Sequence, residues 1–119
     1  MVRLITAEER GLGDPTPGMT REEAVATDGM WAGLVRTEPG MASGWHHHGD
    51  YETAIYMVSG SFHMEFGPGG DRSVEAGPGD FLYVPKGVVH RESTPSDEGG
   101  VAIVVRSGSG PAVVNVDGP

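Results

Sequence analysis

Glycine and proline recur along this chain at short intervals, and this pattern limits what the chain can fold into. The 119 residues include 20 glycines and nine prolines, which fall between short runs rich in apolar, aromatic and β-branched residues. Turn residues at nearly every gap are what a series of hairpins requires, so the chain is predicted to be a single all-β sandwich or barrel. The runs predict strands over residues 30–38, 41–48, 53–59, 61–66, 72–76, 80–84, 89–93, 101–106 and 112–115.

Two of these runs also predict how their faces are covered. Phe62, Met64 and Phe66 alternate with polar residues, which is typical of a strand with one buried face. Residues 101–105 are apolar throughout, so this strand is expected to be covered on both faces.

The first 29 residues differ from the rest and are predicted to form an N-terminal arm, with the barrel domain over residues 30–119. Thr20 and Glu23 have the spacing of a helix capping box, so a short helix is expected over residues 21–26. Residues 11–18 are rich in Gly and Pro and are expected to be an arm or a loop. Since such an arm cannot bury itself alone, we expect a homodimer in which the first thirty residues contact the partner.

Charge and residue usage exclude several classes of partner and site. Eight Lys and Arg stand against 17 Asp and Glu, a formal net charge of −9, and the sequence has no basic cluster to follow a phosphate backbone. We therefore expect no nucleic acid and no membrane among the partners. The lack of cysteine excludes disulfides, thiolate metal sites and cysteine nucleophiles. The first residues carry no apolar run suited to a secretion signal, so a soluble, cytoplasmic protein is expected.

Histidines are the strongest candidates for a metal site. His46 and His48 lie two residues apart in a strand-like run, so their side chains project to one face and that of His47 to the other. Two imidazoles placed in this way can chelate one divalent ion, with each nitrogen about 2.1 Å from it. Glu52 follows a short turn, and a returning strand would bring its carboxylate beside His48. His90 is a further candidate in a second well-marked block.

These residues stand in two blocks that resemble the two motifs of the cupin family. The first family motif is a glycine, five residues, His-x-His, three or four residues, Glu, six residues and a glycine. The second is a glycine, five residues, Pro-x-Gly, two residues, His, three residues and Asn. Residues 40–60 and 79–94 match them in order, with Thr94 in place of the usual Asn. The resemblance implies an antiparallel double-sheet jelly-roll barrel that holds one divalent metal ion. The matching positions are Gly40, His46, His48, Glu52, Gly60, Gly79, Pro85, Gly87 and His90.

The carboxylate position of the first motif can be counted in two ways. Counted forward from His48, Glu52 follows a three-residue spacer. Counted back from Gly60, the position falls on Thr53, because seven residues rather than six separate Glu52 from Gly60. One extra residue exchanges the faces of a strand unless a bulge absorbs it. Three histidines with Thr53 facing the ion is therefore the alternative to the predicted ligand set. The predicted set is His46, His48, Glu52 and His90.

A metal ion with three or four protein ligands keeps open coordination positions, which is typical of a catalytic metal. Histidine and carboxylate ligands suit Fe, Mn, Ni, Zn or Co. The first hypothesis is a metal-dependent dioxygenase that acts on a small organic substrate, with an isomerase or decarboxylase less favoured. The alternative is a non-catalytic barrel that binds a sugar or a small anion, with the metal as an anchor or a structural ion. Aromatic residues expected to line a pocket around the ion, or to belong simply to the core, are Trp45, Tyr51, Tyr56, Phe81 and Tyr83.

Overall fold

The computed structural model describes residues 1–13, 17–95, 97–111 and 113–119. Short 3₁₀ turns cover Ala7–Glu9 and Pro68–Gly70, and no helix in the described ranges is long and apolar enough to cross a membrane. Parts of the predicted arm, residues 14–16, and of the predicted last strand, residue 112, lie outside the described ranges. The described strands are β1 (Gly11–Leu12), β2 (Met19–Ala26), β3 (Met30–Thr37), β4 (His46–His47), β5 (Glu52–Gly60), β6 (Phe62–Phe66), β7 (Arg72–Ala76), β8 (Phe81–Val84), β9 (His90–Ser93), β10 (Gly100–Ser107) and β11 (Val114–Asn115).

The strands form two antiparallel sheets. One sheet has the order β1-β2-β3-β10-β5-β8, and the other has the order β11-β4-β9-β6-β7. Strands distant in sequence lie side by side, as β10 does between β3 and β5, which is typical of a jelly roll. The predicted all-β, antiparallel double-sheet fold is confirmed, although the two sheets remain separate layers and do not close into a barrel.

The core lies between the sheets and is rich in methionine. Burial of these apolar side chains is the main favourable contribution to folding, and the unbranched thioethers fill the irregular space between two twisted layers. The buried apolar residues are Met19, Val35, Met41, Ile55, Met57, Phe62, Met64, Ala76, Val84, Ala102 and Val104.

The helix predicted over residues 21–26 is wrong, because these residues belong to strand β2. This strand pairs with β3 from Met19 opposite Thr37 to Ala26 opposite Trp31. A helix of six residues is marginal by itself in water, whereas the exposed edge of β3 offers β2 a continuous ladder of hydrogen bonds. The Glu23 carboxylate accepts a hydrogen bond from the Trp31 indole at 2.8 Å. Glu23 therefore bonds to the neighbouring strand and does not belong to a capping box.

Strand β10 is not covered on both faces as expected. Ala102 and Val104 are buried, but Ile103 and Val105 are 42% and 37% exposed on the outer face of the six-stranded sheet. The pairing of β10 with β5 shifts at Val101 and Ala102, which marks a bulge in the ladder. Beyond it, Gly60 has a φ of 72°, and a Cβ at this position would collide with the carbonyl of Gly99. Glycine is therefore required at the end of the first motif.

Thr94, which stands where the related motif has Asn, holds the end of β9 to the neighbouring layer. Thr94 is fully buried, and its hydroxyl donates to the Thr37 hydroxyl at 2.8 Å. Its backbone carbonyl accepts from the amide of Gly40 at 2.9 Å, and its amide donates to the carbonyl of Met41 at 2.8 Å. Thr94 thus links the second motif to the start of the first.

Candidate metal centre

Three histidines meet on the inner face of the five-stranded sheet. His46 of β4 lies directly opposite His90 of β9 in the register of these strands, and His48 follows His46 by two residues and shares its face. All three residues are buried, with exposures of 5%, 6% and 1% for His46, His48 and His90. His46 and His48 are thus on one face, as expected from sequence, and the pairing of β4 with β9 brings His90 to them.

The rings of His46 and His90 are oriented so that their Nε2 atoms are directed into the cluster. The Nδ1 of His46 lies 2.8 Å from the carbonyl of Gly44, and the Nδ1 of His90 lies 2.9 Å from the carbonyl of Val88. A carbonyl only accepts, so Nδ1 is the donor in both rings and Nε2 is the nitrogen that faces the cluster. One ligating nitrogen from each of the three histidines lies within 4.8 Å of the others. A backbone carbonyl on the opposite ring nitrogen is the usual support of a metal-binding histidine.

Glu92 is the carboxylate of this cluster, and the sequence analysis missed it. Its Oε2 lies 3.4 Å from Nε2 of His90 and 3.7 Å from Nε2 of His46, and the residue is only 8% exposed. The Glu92 amide donates to the Ser43 hydroxyl at 2.9 Å, which fixes this part of β9. The signal was present in the sequence. Residues two apart on a strand share a face, so Glu92 follows His90 as His48 follows His46.

Charges within the cluster are coupled through Glu92. Burial is the largest influence on this carboxyl and would raise its pKa, but the hydrogen bond with His90 and the charges of the three histidines together lower the pKa to about 2. Burial is also the largest influence on His90, yet the hydrogen bond and charge of Glu92 outweigh it and raise the pKa of His90. At His46 burial dominates and lowers the pKa. Near neutral pH an ionised carboxylate therefore faces the imidazoles.

This donor set fits a divalent metal ion. Three imidazole nitrogens converge on a buried point, the Glu92 carboxylate lies beside two of them, and the backbone orients two of the rings. Such ligands suit Fe, Mn, Co, Ni or Zn. The residues present would hold the ion through His46, His48 and His90, with Glu92 beside them.

Glu52 lies apart from the histidines, on the outer face of β5. The residue is exposed, and its carboxylate accepts a hydrogen bond from the Tyr83 hydroxyl at 3.2 Å. Thr53, the alternative raised by the motif count, is 2% exposed and lines the same small inner cavity as His48 and His90. The turn before β5 restarts the alternation of faces, so spacing from His48 did not predict which residue points inward.

A larger cavity of about 590 Å³ lies beside the histidine cluster and has His90 in its wall. Its lining is mostly apolar, which suits a small organic ligand. Met64, Phe66 and Val88 contribute from one side, and Leu82 and Val84 contribute from β8.

Of the five aromatic residues predicted for a pocket, Phe81 and Tyr83 line this cavity, although 72% and 65% of their surface is exposed. Trp45, Tyr51 and Tyr56 are not among its described lining residues. Tyr56 packs on Phe81 with ring centroids 4.9 Å apart. The guanidinium of Arg91 lies 4.5 Å above the ring of Trp45, and the Tyr51 amide donates to the carbonyl of His48 at 3.0 Å. These three aromatic residues support neighbouring segments.

Comparison with known families and structures agrees with this description. The family model described as the cupin domain matches residues 33–106, which include all three histidines and Glu92. A search of curated proteins found no match.

Several solved structures share the fold at low sequence identity. The structure of KdgF from Halomonas sp. has a TM-score of 0.76 at 21% identity and covers 91% of this chain and 96% of its own. The polyketide cyclase RemF from Streptomyces resistomycificus has a TM-score of 0.79 at 23% identity, with 98% and 86% covered. Oxalate decarboxylase from Bacillus subtilis has a TM-score of 0.76 at 20% identity, and the match covers 98% of this chain but 33% of that enzyme. These structural matches establish a shared fold, and at identities this low they establish the fold alone.

Proposed function

This chain belongs to the cupin family, and on that premise we propose that it is a metal-dependent dioxygenase acting on a small organic substrate. The observation that carries the proposal is the position of His90. Its ring belongs to the buried donor cluster and also to the wall of the cavity of about 590 Å³. A substrate in that cavity would therefore lie against the metal centre.

Open coordination positions favour a catalytic role. Three nitrogens and the Glu92 carboxylate would fill four positions of an octahedral ion and leave two for substrate or dioxygen. A redox-active divalent ion such as iron would supply electron exchange with dioxygen, which the side chains of this chain cannot do. The chain itself positions the substrate and keeps water out, through apolar walls such as Met64, Phe66 and Val88.

The alternative is a non-catalytic double-sheet protein that binds a sugar or a small anion with the metal as an anchor. The same cluster and cavity would serve it, so the two functions differ only in whether oxidation follows binding. A cupin fold does not select between them, because one fold supports many activities.

Oxygen consumption by the metal-loaded protein separates these functions. Protein would be stripped of metal, loaded with iron or with zinc, and measured with a panel of phenols and diketones. Uptake that requires iron and is lost in His90→Ala but kept in His47→Ala supports the dioxygenase. A metal-loaded protein that binds panel members in a thermal-shift assay without consuming oxygen supports the non-catalytic binding function. Failure of the protein to bind any metal contradicts both functions.

We also propose a homodimer, and the outer face of the six-stranded sheet supports it. Phe81, Tyr56 and Ile103 are neighbours across β8, β5 and β10, and Phe81 and Ile103 are 72% and 42% exposed. A row of apolar side chains without charges is suited to contact with a second copy. Light scattering should give twice the chain mass for the full chain and the single chain mass for Ile103→Glu. A monomeric full chain contradicts the proposal.

A further inference from the structure

Two buried polar side chains, those of Arg106 and Thr53, each have a nitrogen or oxygen atom without a hydrogen-bond partner. Arg106 is 6% exposed and its Nε has no partner, and Thr53 is 2% exposed and its hydroxyl has none. The two residues are direct neighbours across β10 and β5, so their side chains lie side by side on the inner face. A buried donor without a partner is costly, and most such groups in proteins are satisfied. Two of them side by side therefore indicate a missing acceptor.

Both side chains face the space occupied by the histidine cluster. Arg106 and Thr53 line a cavity of about 20 Å³ together with His48, His90 and Glu92. This volume admits a group little larger than one water molecule. An acceptor bound here would be compact and would lie beside the candidate metal ligands.

Charge in this cavity favours an anion. Among the described lining residues, Arg21 and Arg106 are positive and Glu92 is the carboxylate. Burial, and after it the positive charge of Arg21, lowers the pKa of Arg106 to about 10, so its guanidinium stays charged at neutral pH. A divalent ion would add two further positive charges. The buried charge of Arg106 would be stabilised by a bound anion, although the chain as a whole carries −9.

The guanidinium is also held in place. Its Cζ lies 5.0 Å from the ring of Trp31, which limits its movement. A planar guanidinium held in this way, next to a hydroxyl donor, matches the planar, two-oxygen geometry of a carboxylate.

We propose that Arg106 and Thr53 bind a carboxylate group of the substrate beside the metal centre, so that the substrate is a small carboxylic acid. This inference rests on the proposed function and narrows its substrate class. One carboxylate oxygen enters the small cavity, and the apolar remainder extends into the cavity of about 590 Å³, since His90 lines both.

Calorimetric titration of the zinc-loaded protein tests the proposal without any turnover. The probes are acetate, benzoate, benzamide as the uncharged counterpart of benzoate, and inorganic phosphate. Acetate and benzoate should bind, and benzamide should bind at least about tenfold more weakly, because it is uncharged and has a single acceptor oxygen to offer the guanidinium. Phosphate is tetrahedral and has four oxygens, so it should fit a small site for a planar carboxylate less well and bind more weakly than acetate. Acids that bind no more tightly than benzamide, or phosphate that binds more tightly than acetate, overturn the proposal.

Variants separate binding from structural support. Thr53→Val removes only the hydroxyl, so it should weaken acetate and benzoate about tenfold while the melting temperature without ligand stays the same or rises. Arg106→Lys keeps the charge but loses the planar donor group, and should weaken both acids by about 10- to 100-fold. The matched control is Arg36→Lys, an exposed arginine of β3 paired with Glu22, which should change nothing. Unchanged affinities in Thr53→Val, or a lowered melting temperature in that variant, contradict the proposal.

Metal content measured on the same samples keeps this inference distinct from the proposed function. If the protein binds no zinc, the proposed function is contradicted. A protein that holds zinc but does not distinguish benzoate from benzamide keeps the metal centre and loses only the carboxylate site.

Discussion

The start of β5 and the strand β9 each carry a glutamate within four residues of a histidine in the sequence, but one side chain lies on an outer face and the other on an inner face. Glu52 lies on the outer face, where it is exposed and bonded to the hydroxyl of Tyr83. Glu92 lies on the inner face, buried and 3.4 Å from Nε2 of His90. The two carboxylates have the same chemistry, and only the face of the strand decides which one meets the imidazoles. Proximity in sequence to a ligand is thus a weaker guide than parity along the same strand.

The largest expected effect compares an inner histidine with an outer one. His90→Ala removes a donor from the centre of the cluster and should abolish tight metal binding. His47→Ala changes the neighbouring face and should retain the metal. Metal that binds only the folded state stabilises it by about 2.7 kcal/mol at a hundredfold excess over the dissociation constant. Elemental analysis and thermal denaturation with and without added metal measure both effects.

Either of two results would contradict the assignment of the metal site to the inner face. Equal metal content in His90→Ala and the wild type would remove the inner cluster from consideration as a metal site. Loss of metal in His47→Ala would mean that the outer face contributes a ligand.

The two glutamates are compared directly by the same substitution. Glu92→Gln keeps the shape of the side chain but removes the charge, and should weaken metal affinity by about 10- to 100-fold. Glu52→Gln should leave the affinity unchanged, because its carboxylate faces solvent and Tyr83. Competition against a chromophoric chelator gives both affinities. A larger loss in Glu52→Gln than in Glu92→Gln would reverse the assignment of the two faces.

Acid titration is expected to have a smaller effect, which is confined to the inner face. Protons and metal compete for the same imidazole nitrogens, so metal occupancy should decrease as the pH falls below about 6.5. The raised pKa of His90 extends proton competition to higher pH, whereas the lowered pKa of His46 acts in the opposite direction. His47→Ala should follow the wild-type curve. Occupancy that stays constant down to pH 4.5 would contradict ligation by histidine.

The smallest effect is expected on the outer face. Tyr83→Phe removes the hydrogen bond to Glu52 but keeps the aromatic ring at the cavity wall. Exposed polar contacts contribute little because water replaces them. The denaturant midpoint and metal affinity should both match the wild type. A clear decrease in either would show that the outer pair supports the site.

Much of this arrangement could be predicted from the sequence, because it depends on local rules. Alternation placed His46 and His48 on one face, and the turn residues predicted nearly all of the strands. The helix over residues 21–26 was predicted from a capping pattern, but the free edge of β3 determines the conformation there. Glu52 was favoured from spacing, yet the turn before β5 resets which residues point inward. The pairing of Arg106 with Thr53 depends on contacts between distant strands and had no local signal.

The methionine-rich core has a consequence for the lifetime of the protein under oxidising conditions. Met64 lines the cavity beside His90, and Met57 is fully buried in the same core. If oxygen is activated at this centre, oxidant that escapes into the cavity meets the Met64 side chain in its wall. Conversion to the sulfoxide places a polar oxygen in a packed apolar layer and disrupts it. Damage during turnover should therefore include Met64, and methionine sulfoxide reductases would be the enzymes that reverse it.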